Sequence, residues 1–489
     1  MPTVTFVNTG KQIGVAPDTT ILQAARQLGI ELTAPCGGSG TCGKCRVKID
    51  GKEALACRTS VDRNLTVELP QQTPANILTA GQTVDLAVNP VKSGYLLAFD
   101  IGTTTVVCFL LSPEGRELAV ESMLNPQASY GADVISRIQC ALAGEMDALT
   151  KAIRTGMSEL IVKCCEKASI SPSQVGVISV AGNPCMQQLF LGISPVNLAA
   201  VPFAPVLTSA SCENVGAVFP ECGNAALLTI PDISGYVGAD TLGCVLASKM
   251  YEGTETILLV DIGTNGEMVL AHGGRLVSCS TAAGPALEGA NITFGMRGSV
   301  GAIDHVWAEN GQIRYSVIGN CKPVGICGSG IIDAVATLLE LKLVNKRGRI
   351  RTEEERNGQR VIDLSETIYL TQEDIRQVQM AKGAIAAGIY LMCEHLGITP
   401  AQIQKVILAG AFGSFLNPDS ACRIELLPRE LAGRIVAAGN LAGTGAKMVA
   451  MSREQFAFTE DLRRRMEFIE LADMPSFQKT FAKCMMLPS

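Results

Sequence analysis

Histidine is scarce in this chain of 489 residues. There are three, His272, His305 and His395, with no HExxH and no paired-ligand spacing. Catalytic zinc and a histidine-centred general base are therefore not expected. No uncharged apolar run reaches about 20 residues, so a membrane span is not expected either. The opening stretch MPTVTFVNTGKQIG lacks the basic start and apolar core of a secretory signal. A lysine-bearing P-loop is also missing. Basic residues do not outnumber acidic ones: the net charge is -6, which gives no reason to expect nucleic acid as the main partner.

What is present describes a folded protein. Apolar residues make up 47% and charged residues 18%, and the 49 glycines and 22 prolines are spread along the chain rather than gathered in one tract. The length predicts about two to four domains. The 18 cysteines, without a secretory signal, point to a reducing cytoplasm, anaerobic ones included. Many of them, such as the pair in KCC at 163–165, then serve as small buried hydrophobes.

The first seventy residues predict a strand at 3–7, a capped helix over 18–30, a strand at 46–49, a DG turn and a last strand near 64–69. That is the order of a small β-grasp domain. Between helix and strand lies APCGGSGTCGKC, and Cys36, Cys42, Cys45 and Cys57 are separated by five, two and eleven residues. Four thiolates suit either zinc or an iron–sulfur cluster, so spacing alone does not name the metal. Zinc knuckles usually bring two CxxC pairs, whereas here a single CxxC is flanked by lone cysteines. This arrangement resembles the 2Fe-2S ferredoxin loop, and the resemblance makes the four cysteines the cluster ligands. Gly37, Gly38, Gly40 and Gly43 would let the backbone fold tightly and turn N–H groups toward sulfur. Residues 71–94, rich in Pro, Gly, Gln and Thr, are expected to form a linker, with a strand in TVDLAV as the alternative.

The rest of the chain repeats itself. LLAFDIGTTTVVCFLL at 96–111 and TILLVDIGTNGEMVLAHGG at 256–274 each place an apolar strand before Asp-Ile-Gly-Thr and another strand after it, about 160 residues apart. Such a hairpin suits an oxyanion, with Asp100 or Asp261 positioned to reach Mg2+ directly or through water. One copy is explained by an ordinary strand and turn. Two copies, each opening an α/β segment of similar size, resemble the superfamily of acetate kinase, sugar kinases, heat-shock chaperones and actin. That resemblance implies two ribonuclease-H-like lobes with ATP between facing hairpins.

Further glycine turns fit the same scheme. VILAGAFGSFLNP at 406–418 and VAAGNLAGTGAKMVA at 436–450 offer Gly410, Gly413, Gly439 and Gly443 for close backbone approach to nucleotide. VISVAGNPCMQQLFLG at 177–192 turns at Gly182-Asn183, and its helix should carry Met186 and Leu189 inward. Each of these is also a plain strand-to-helix turn in an α/β protein. Asp240, Glu267 and Asp333 are acidic candidates for cleft chemistry that could equally cap or pair within the fold. Cys321 and Cys327 could face each other across a loop, with cleft lining or core as the favoured reading. EDLRRRMEF at 460–468 is expected to be the solvated face of a basic helix.

Taken in order, the cysteine loop, AFDIGTTTV, DIGTNGE, CGSGIIDA and LAGAFGSF resemble the reductive activators of corrinoid proteins across essentially the whole chain. The fold class implied is α/β, an N-terminal β-grasp 2Fe-2S domain followed by a two-lobed ribonuclease-H-like ATPase. The expected division is 1–70, a linker at 71–94, a first lobe at 95–254 and a second at 255–489. The family reading makes the cluster the electron donor to cob(II)amide. It puts Gly102, Thr103, Thr104, Gly263, Thr264, Asn265, Asn183 and Asp240 around the nucleotide, and Asp100, Asp261 and Glu267 in the catalytic set. The implied cofactors are the cluster, ATP and Mg2+. The implied partners are a corrinoid protein of a methyltransferase system and a low-potential electron donor, with a homodimer left open. The chain lacks the C-terminal 4Fe-4S motifs of some relatives, so the resemblance is to the N-terminal 2Fe-2S type.

Coupling to ATP has a chemical reason. For one electron, each 59 mV of unfavourable potential shifts the equilibrium tenfold, so a gap of about 240 mV leaves about one part in ten thousand reduced. Closure on ATP could trap the rare product, and hydrolysis would then reset the complex. Two other classes share these features: an ATP-driven electron donor to a dehydratase, and a redox-sensing nucleotide-binding protein.

Overall fold

The computed structural model describes residues 1–30, 32, 34, 38, 40, 45–70 and 84–488. Cys36 and Cys42, Gly37 and Gly43, and most of the expected linker lie outside the described residues. The chain divides into two compact units. One comprises Met1–Gln72, Leu86–Ala239 and Val449–Phe456, and the other Thr73–Asp85, Asp240–Met448 and Ala457–Ser489.

The first unit begins with β1 (Thr3–Phe6), β2 (Lys11–Gly14), α1 (Ile21–Gln27), β3 (Arg46–Ile49), β4 (Lys52–Leu55) and β5 (Leu65–Glu68). They form one sheet in the order β2-β1-β5-β3-β4, with β1 and β5 parallel. This is the β-grasp arrangement. Helix α1 is shorter than the pattern suggests. Asp18 takes a left-handed φ of 70°, so the helix starts only after Thr20, which forms a capping box with Gln23, and Gly29 at φ 62° ends it. The Asp50-Gly51 turn has positive φ at both positions, as a two-residue hairpin of this twist requires.

The same unit continues with β6 (Tyr95–Ile101), β7 (Thr105–Leu111), β8 (Glu117–Leu124), α2 (Val134–Cys140), α3 (Met146–Ala168), β9 (Val175–Gly182), α4 (Pro184–Leu191), β10 (Ser211–Asn214) and β11 (Ala226–Thr229). The sheet runs β10-β11-β9-β6-β7-β8. Strands β6, β7 and β8 form an antiparallel meander, and β9 and β11 extend it in parallel. Val84–Val88 carries no strand, and Asn89 makes an isolated bridge to Ser452. Met186 and Leu189 of α4 are buried in the core with Phe99, Ile178 and Leu160, as the pattern predicts.

Helix α5 (Ala239–Ser248) spans the division between the units. After it come β12 (Ile257–Ile262), β13 (Gly266–His272), β14 (Arg275–Thr281), β15 (Ala302–Glu309), β16 (Gln312–Val317), β17 (Gly325–Ile326) and α6 (Gly328–Glu340). Three short strands, β18 (Glu355–Arg356), β19 (Gln359–Asp363) and β20 (Tyr369–Thr371), lead into α7 (Gln372–Leu396), then β21 (Lys405–Ala409), α8 (Gly410–Phe415), α9 (Pro418–Arg423) and β22 (Ile435–Ala437). Last come α10 (Leu441–Met451), α11 (Arg453–Arg465), β23 (Met466–Phe468) and α12 (Phe477–Cys484). The main sheet, β22-β21-β12-β13-β14-β23, repeats the topology of the first: an antiparallel meander extended on one side by two parallel strands. The basic segment is not helical throughout. It leaves the helix after Arg465, and Met466–Phe468 pairs in parallel with β14, which buries Met466.

Candidate functional site

Each Asp-Ile-Gly-Thr lies at the tip of the first hairpin of its sheet. In the first, Ile101 pairs with Val106, which leaves Gly102–Thr105 as the turn, and Gly102 N–H donates to Thr105 O at 2.9 Å. A Cβ on Gly102 would come within 2.9 Å of that carbonyl, so this position accommodates a bare backbone. In the second, Ile262 pairs with Gly266, a turn one residue tighter, and Gly263 N–H donates to Asn265 O at 2.9 Å. Both glycine N–H groups therefore close their own turns. Gly102 needs the space a Cβ would take, whereas a Cβ on Gly263 would meet nothing nearer than 3.7 Å.

The first turn is held from behind. Asn125 Nδ2 donates to Gly102 O at 2.8 Å, and Asn125 N–H to Thr104 O at 2.9 Å. Arg137 is wholly buried, and its guanidinium donates to Thr103 O at 2.5 Å and to Gly131 O at 2.9 Å. Asn183 caps α4 by accepting from Met186 N–H at 3.0 Å, and its Nδ2 donates to Thr103 Oγ1 at 3.0 Å. Asn183, expected from the sequence only as a turn residue near nucleotide, thus joins the first hairpin. Asn125 and Arg137 were not singled out by motif. Asn125-Pro126 does carry the signature of a helix start, Asn as cap and Pro at the first helical position, and Asn183-Pro184 and Asn417-Pro418 share it.

The second turn carries acid. Asp261 and Glu267 are cross-strand partners, where the first hairpin pairs Asp100 with Val107. Removal from water, then the nearby carboxylates of Asp240 and Asp261, push the Glu267 carboxyl well above its ordinary range. Asp240 lies in the first turn of α5 and accepts from Thr241 N–H at 2.7 Å. Thr264 Oγ1 donates to Glu288 Oε1 at 3.1 Å, a carboxylate that no sequence motif marks because it lies in a separate turn, Pro285–Glu288.

The remaining glycine loops meet the second hairpin. Ala409 pairs with Asp261, and the next residue, Gly410, has φ 78°. A Cβ there would sit 2.4 Å from Asp261 Oδ1. Gly410 N–H donates to Gly439 O at 3.2 Å, which ties the two loops together, and Gly439 has φ 70°. Gly443 lies in α10, with its N–H donating to Asn440 Oδ1 at 2.6 Å, and Gly413 lets α8 pack on Leu408. Asp333 is engaged with His305, Oδ2 to Nδ1 at 3.0 Å. Cys327 Sγ lies 3.4 Å from Ser329 Oγ while Cys321 Sγ contacts Ile318 O, so these two thiols have separate partners.

In the β-grasp domain, Cys45 and Cys57 are buried free thiols with sulfurs 3.2 Å apart, far beyond a disulfide bond. Gly38 and Gly40 have φ of 105° and 79°. Two converging thiols beside left-handed glycines fit the cysteine loop of an iron–sulfur cluster. Among the described residues, no group of three or more His, Cys, Asp or Glu is arranged to hold a metal ion.

The comparisons with known proteins agree with this anatomy. Residues 5–67 match the 2Fe-2S iron-sulfur cluster binding domain family, residues 95–253 the RACo middle region, and residues 255–489 the C-terminal domain of RACo, the ASKHA domain. The fold is thus that of an iron–sulfur domain joined to an ASKHA nucleotide-binding region.

One relative, the corrinoid activation enzyme RamQ of Eubacterium limosum, is 31% identical over 574 aligned residues, covering 96% of this chain and 96% of the relative. Another, a Co(II) methylated amine-specific corrinoid protein reductase of Methanosarcina barkeri, is 27% identical over 74% of this chain and 71% of its own length. A solved structure of a reductive activator for corrinoid, iron-sulfur protein superposes with a TM-score of 0.73, 26% identity, and coverage of 100% of this chain and 98% of that one. The chain belongs to the family of corrinoid activation enzymes.

Proposed function

We propose that this protein couples ATP hydrolysis to one-electron reduction of cob(II)amide to cob(I)amide in a corrinoid protein, returning a methyltransferase system to its active state. The observation that carries this is the joining, in one chain matched from end to end by a corrinoid activation enzyme, of a cluster-type cysteine loop with two phosphate-type hairpins. When bound, a 2Fe-2S cluster supplies one electron at a time, often at low potential.

Cys36, Cys42, Cys45 and Cys57 hold that cluster. The functional division is 1–70 for the cluster, a linker at 71–94, and lobes at 95–254 and 255–489, each opened by one hairpin. Thr103, Thr104, Thr264 and Asn265 surround phosphate oxygens, and Asn183 fixes the Thr103 hydroxyl. Asp100 and Asp261 would hold a bound Mg2+ directly or through water. Glu267, whose carboxyl is pushed up by burial and by its acidic neighbours, would lie beside a bound Mg2+ and would orient the attacking water. Gly410, Gly413, Gly439 and Gly443 belong to the loops on the nucleoside side. Asp240 completes the acidic surround. A low-potential donor recharges the cluster, and the free cysteines suit a reducing cytoplasm.

Mixing the anaerobic protein with cob(II)amide proteins, a low-potential reductant and Mg-ATP, and following the corrinoid absorption, tests the proposal. Cob(I)amide should form only when ATP is present. Equal reduction without ATP would refute the coupling.

A further inference from the structure

We infer that the segment Asn125–Gly131 couples the first phosphate hairpin to the ferredoxin-like domain, with Arg26 as the contact between them. The inference rests on the reading that this hairpin binds nucleotide.

On one side, Asn125 of the segment and Arg137 bound to its far end together hold the turn at three successive residues. Asn125 takes the carbonyls of Gly102 and Thr104, and Arg137 links the carbonyl of Thr103 to that of Gly131. Any rearrangement of the turn around a phosphate moves those carbonyls, and with them both ends of the segment.

The middle of the segment faces the ferredoxin-like domain. Arg26 Nε donates to Ser129 O at 2.8 Å, its Nη2 donates to the same carbonyl, and its guanidinium lies 4.8 Å from the centre of the Tyr130 ring. Tyr130 is itself buried against the core of the first lobe. A planar, forked cation satisfies the carbonyl and the ring together, which a lysine does not.

Arg26 in turn belongs to the helix that grips a cluster ligand. One turn earlier in α1, Leu22 N–H donates to Ala56 O at 3.1 Å and Ile21 N–H to Thr59 O at 3.0 Å, bracketing Cys57. Leu22 also packs against Gly38, where a Cβ would approach its Cδ2 to 3.2 Å. The route from phosphate turn to thiolate thus runs through named hydrogen bonds and one helix. Coupling of this kind is reciprocal: if nucleotide steadies the contact, loss of the contact weakens nucleotide binding.

The test uses the full chain with its cluster, and Mg-ADP as the probe. In the wild type, Mg-ADP should slow hydrogen exchange at the amides of α1. Arg26→Ala should abolish that protection and weaken Mg-ADP binding about threefold by calorimetry. Tyr130→Leu should do the same, the double variant should add nothing further, and Arg26→Lys should fall between. An unchanged cluster absorption spectrum identifies variants that remain folded, and Arg26→Lys and Tyr130→Leu carry the test if Arg26→Ala does not. Equal Mg-ADP affinity in all variants, with α1 exchange indifferent to nucleotide, overturns the coupling. Absence of Mg-ADP binding in the wild type overturns the nucleotide reading beneath it.

Discussion

Asp261 and Glu267 stand opposite each other on β12 and β13, two carboxylates in one cross-strand pair, with Asp240 close enough to raise Glu267 further. Like charges directly opposite destabilise a sheet, and burial followed by the carboxylates of Asp240 and Asp261 raises the Glu267 carboxyl well above its ordinary range. The unfolded chain titrates Glu267 near its ordinary value of 4.5, and the folded chain well above it. Over the interval between, the folded state binds more protons, so stability falls as pH rises. Glu267→Gln should flatten that decline in the melting temperature. It should also remove a proton released on Mg-nucleotide binding, measured by calorimetry in two buffers of different ionisation enthalpy, and slow ATP turnover by about a hundredfold.

Asp100→Asn and Asp261→Asn should each abolish ATP-driven corrinoid reduction while leaving the iron–sulfur absorption spectrum unchanged. Normal coupled turnover in both variants would contradict the metal-binding roles proposed for them.

Cys57→Ser should have the converse effect. Its sulfur lies 3.2 Å from that of Cys45, so the change removes one of two converging thiols. Iron content and visible absorption should drop sharply, and binding of Mg-ADP should persist to within the modest coupling argued above. Retention of a full 2Fe-2S spectrum would contradict the ligand assignment.

Gly410→Ala places a Cβ at φ 78° and 2.4 Å from Asp261 Oδ1. The left-handed backbone alone costs about 1–2 kcal/mol, and the carboxylate must move as well. Chemical denaturation should show at least that loss, accompanied by weaker Mg-nucleotide binding. An unchanged affinity would separate this loop from the site.

Lys382 is buried in α7, where it donates to Met486 O at 2.7 Å. Burial lowers it from its ordinary 10.5 to about 8. Between those two values the unfolded chain binds more protons, so stability rises with pH across that window and is independent of this group below it. Lys382→Met should abolish the rise in melting temperature between pH 8 and pH 10.

Both Asp-Ile-Gly-Thr hairpins were legible because strand, motif and strand are consecutive in the chain, and because the motif occurs twice. The β-grasp order was legible for the same reason, except for its two edge strands. Lys11–Gly14 and Lys52–Leu55 are largely exposed and polar, so they carry no alternation to reveal them. The helix start at Thr20 was masked by Asp18, whose left-handed backbone leaves no trace in a propensity pattern. Asn125, Arg137 and Glu288 escaped notice because they reach the hairpins from other elements. A fully buried arginine looks like any surface arginine until the fold brings Thr103 and Gly131 to it. Asp240 and Glu267 could be named as acids from the sequence, but only the fold shows that burial, with Asp240 nearby and Asp261 opposite, raises the Glu267 carboxyl.

The most direct test of the account is a single-turnover experiment. The protein is reduced at its cluster, freed of external reductant, and mixed with a cob(II)amide protein in the presence or absence of Mg-ATP, while paramagnetic resonance follows both centres. The signals of the reduced cluster and of cob(II)amide should disappear together, one electron for one cobalt, and only when Mg-ATP is present. Loss of both signals at the same rate and extent without ATP, or persistence of cob(II)amide while ATP is hydrolysed in a demonstrated complex, would contradict it.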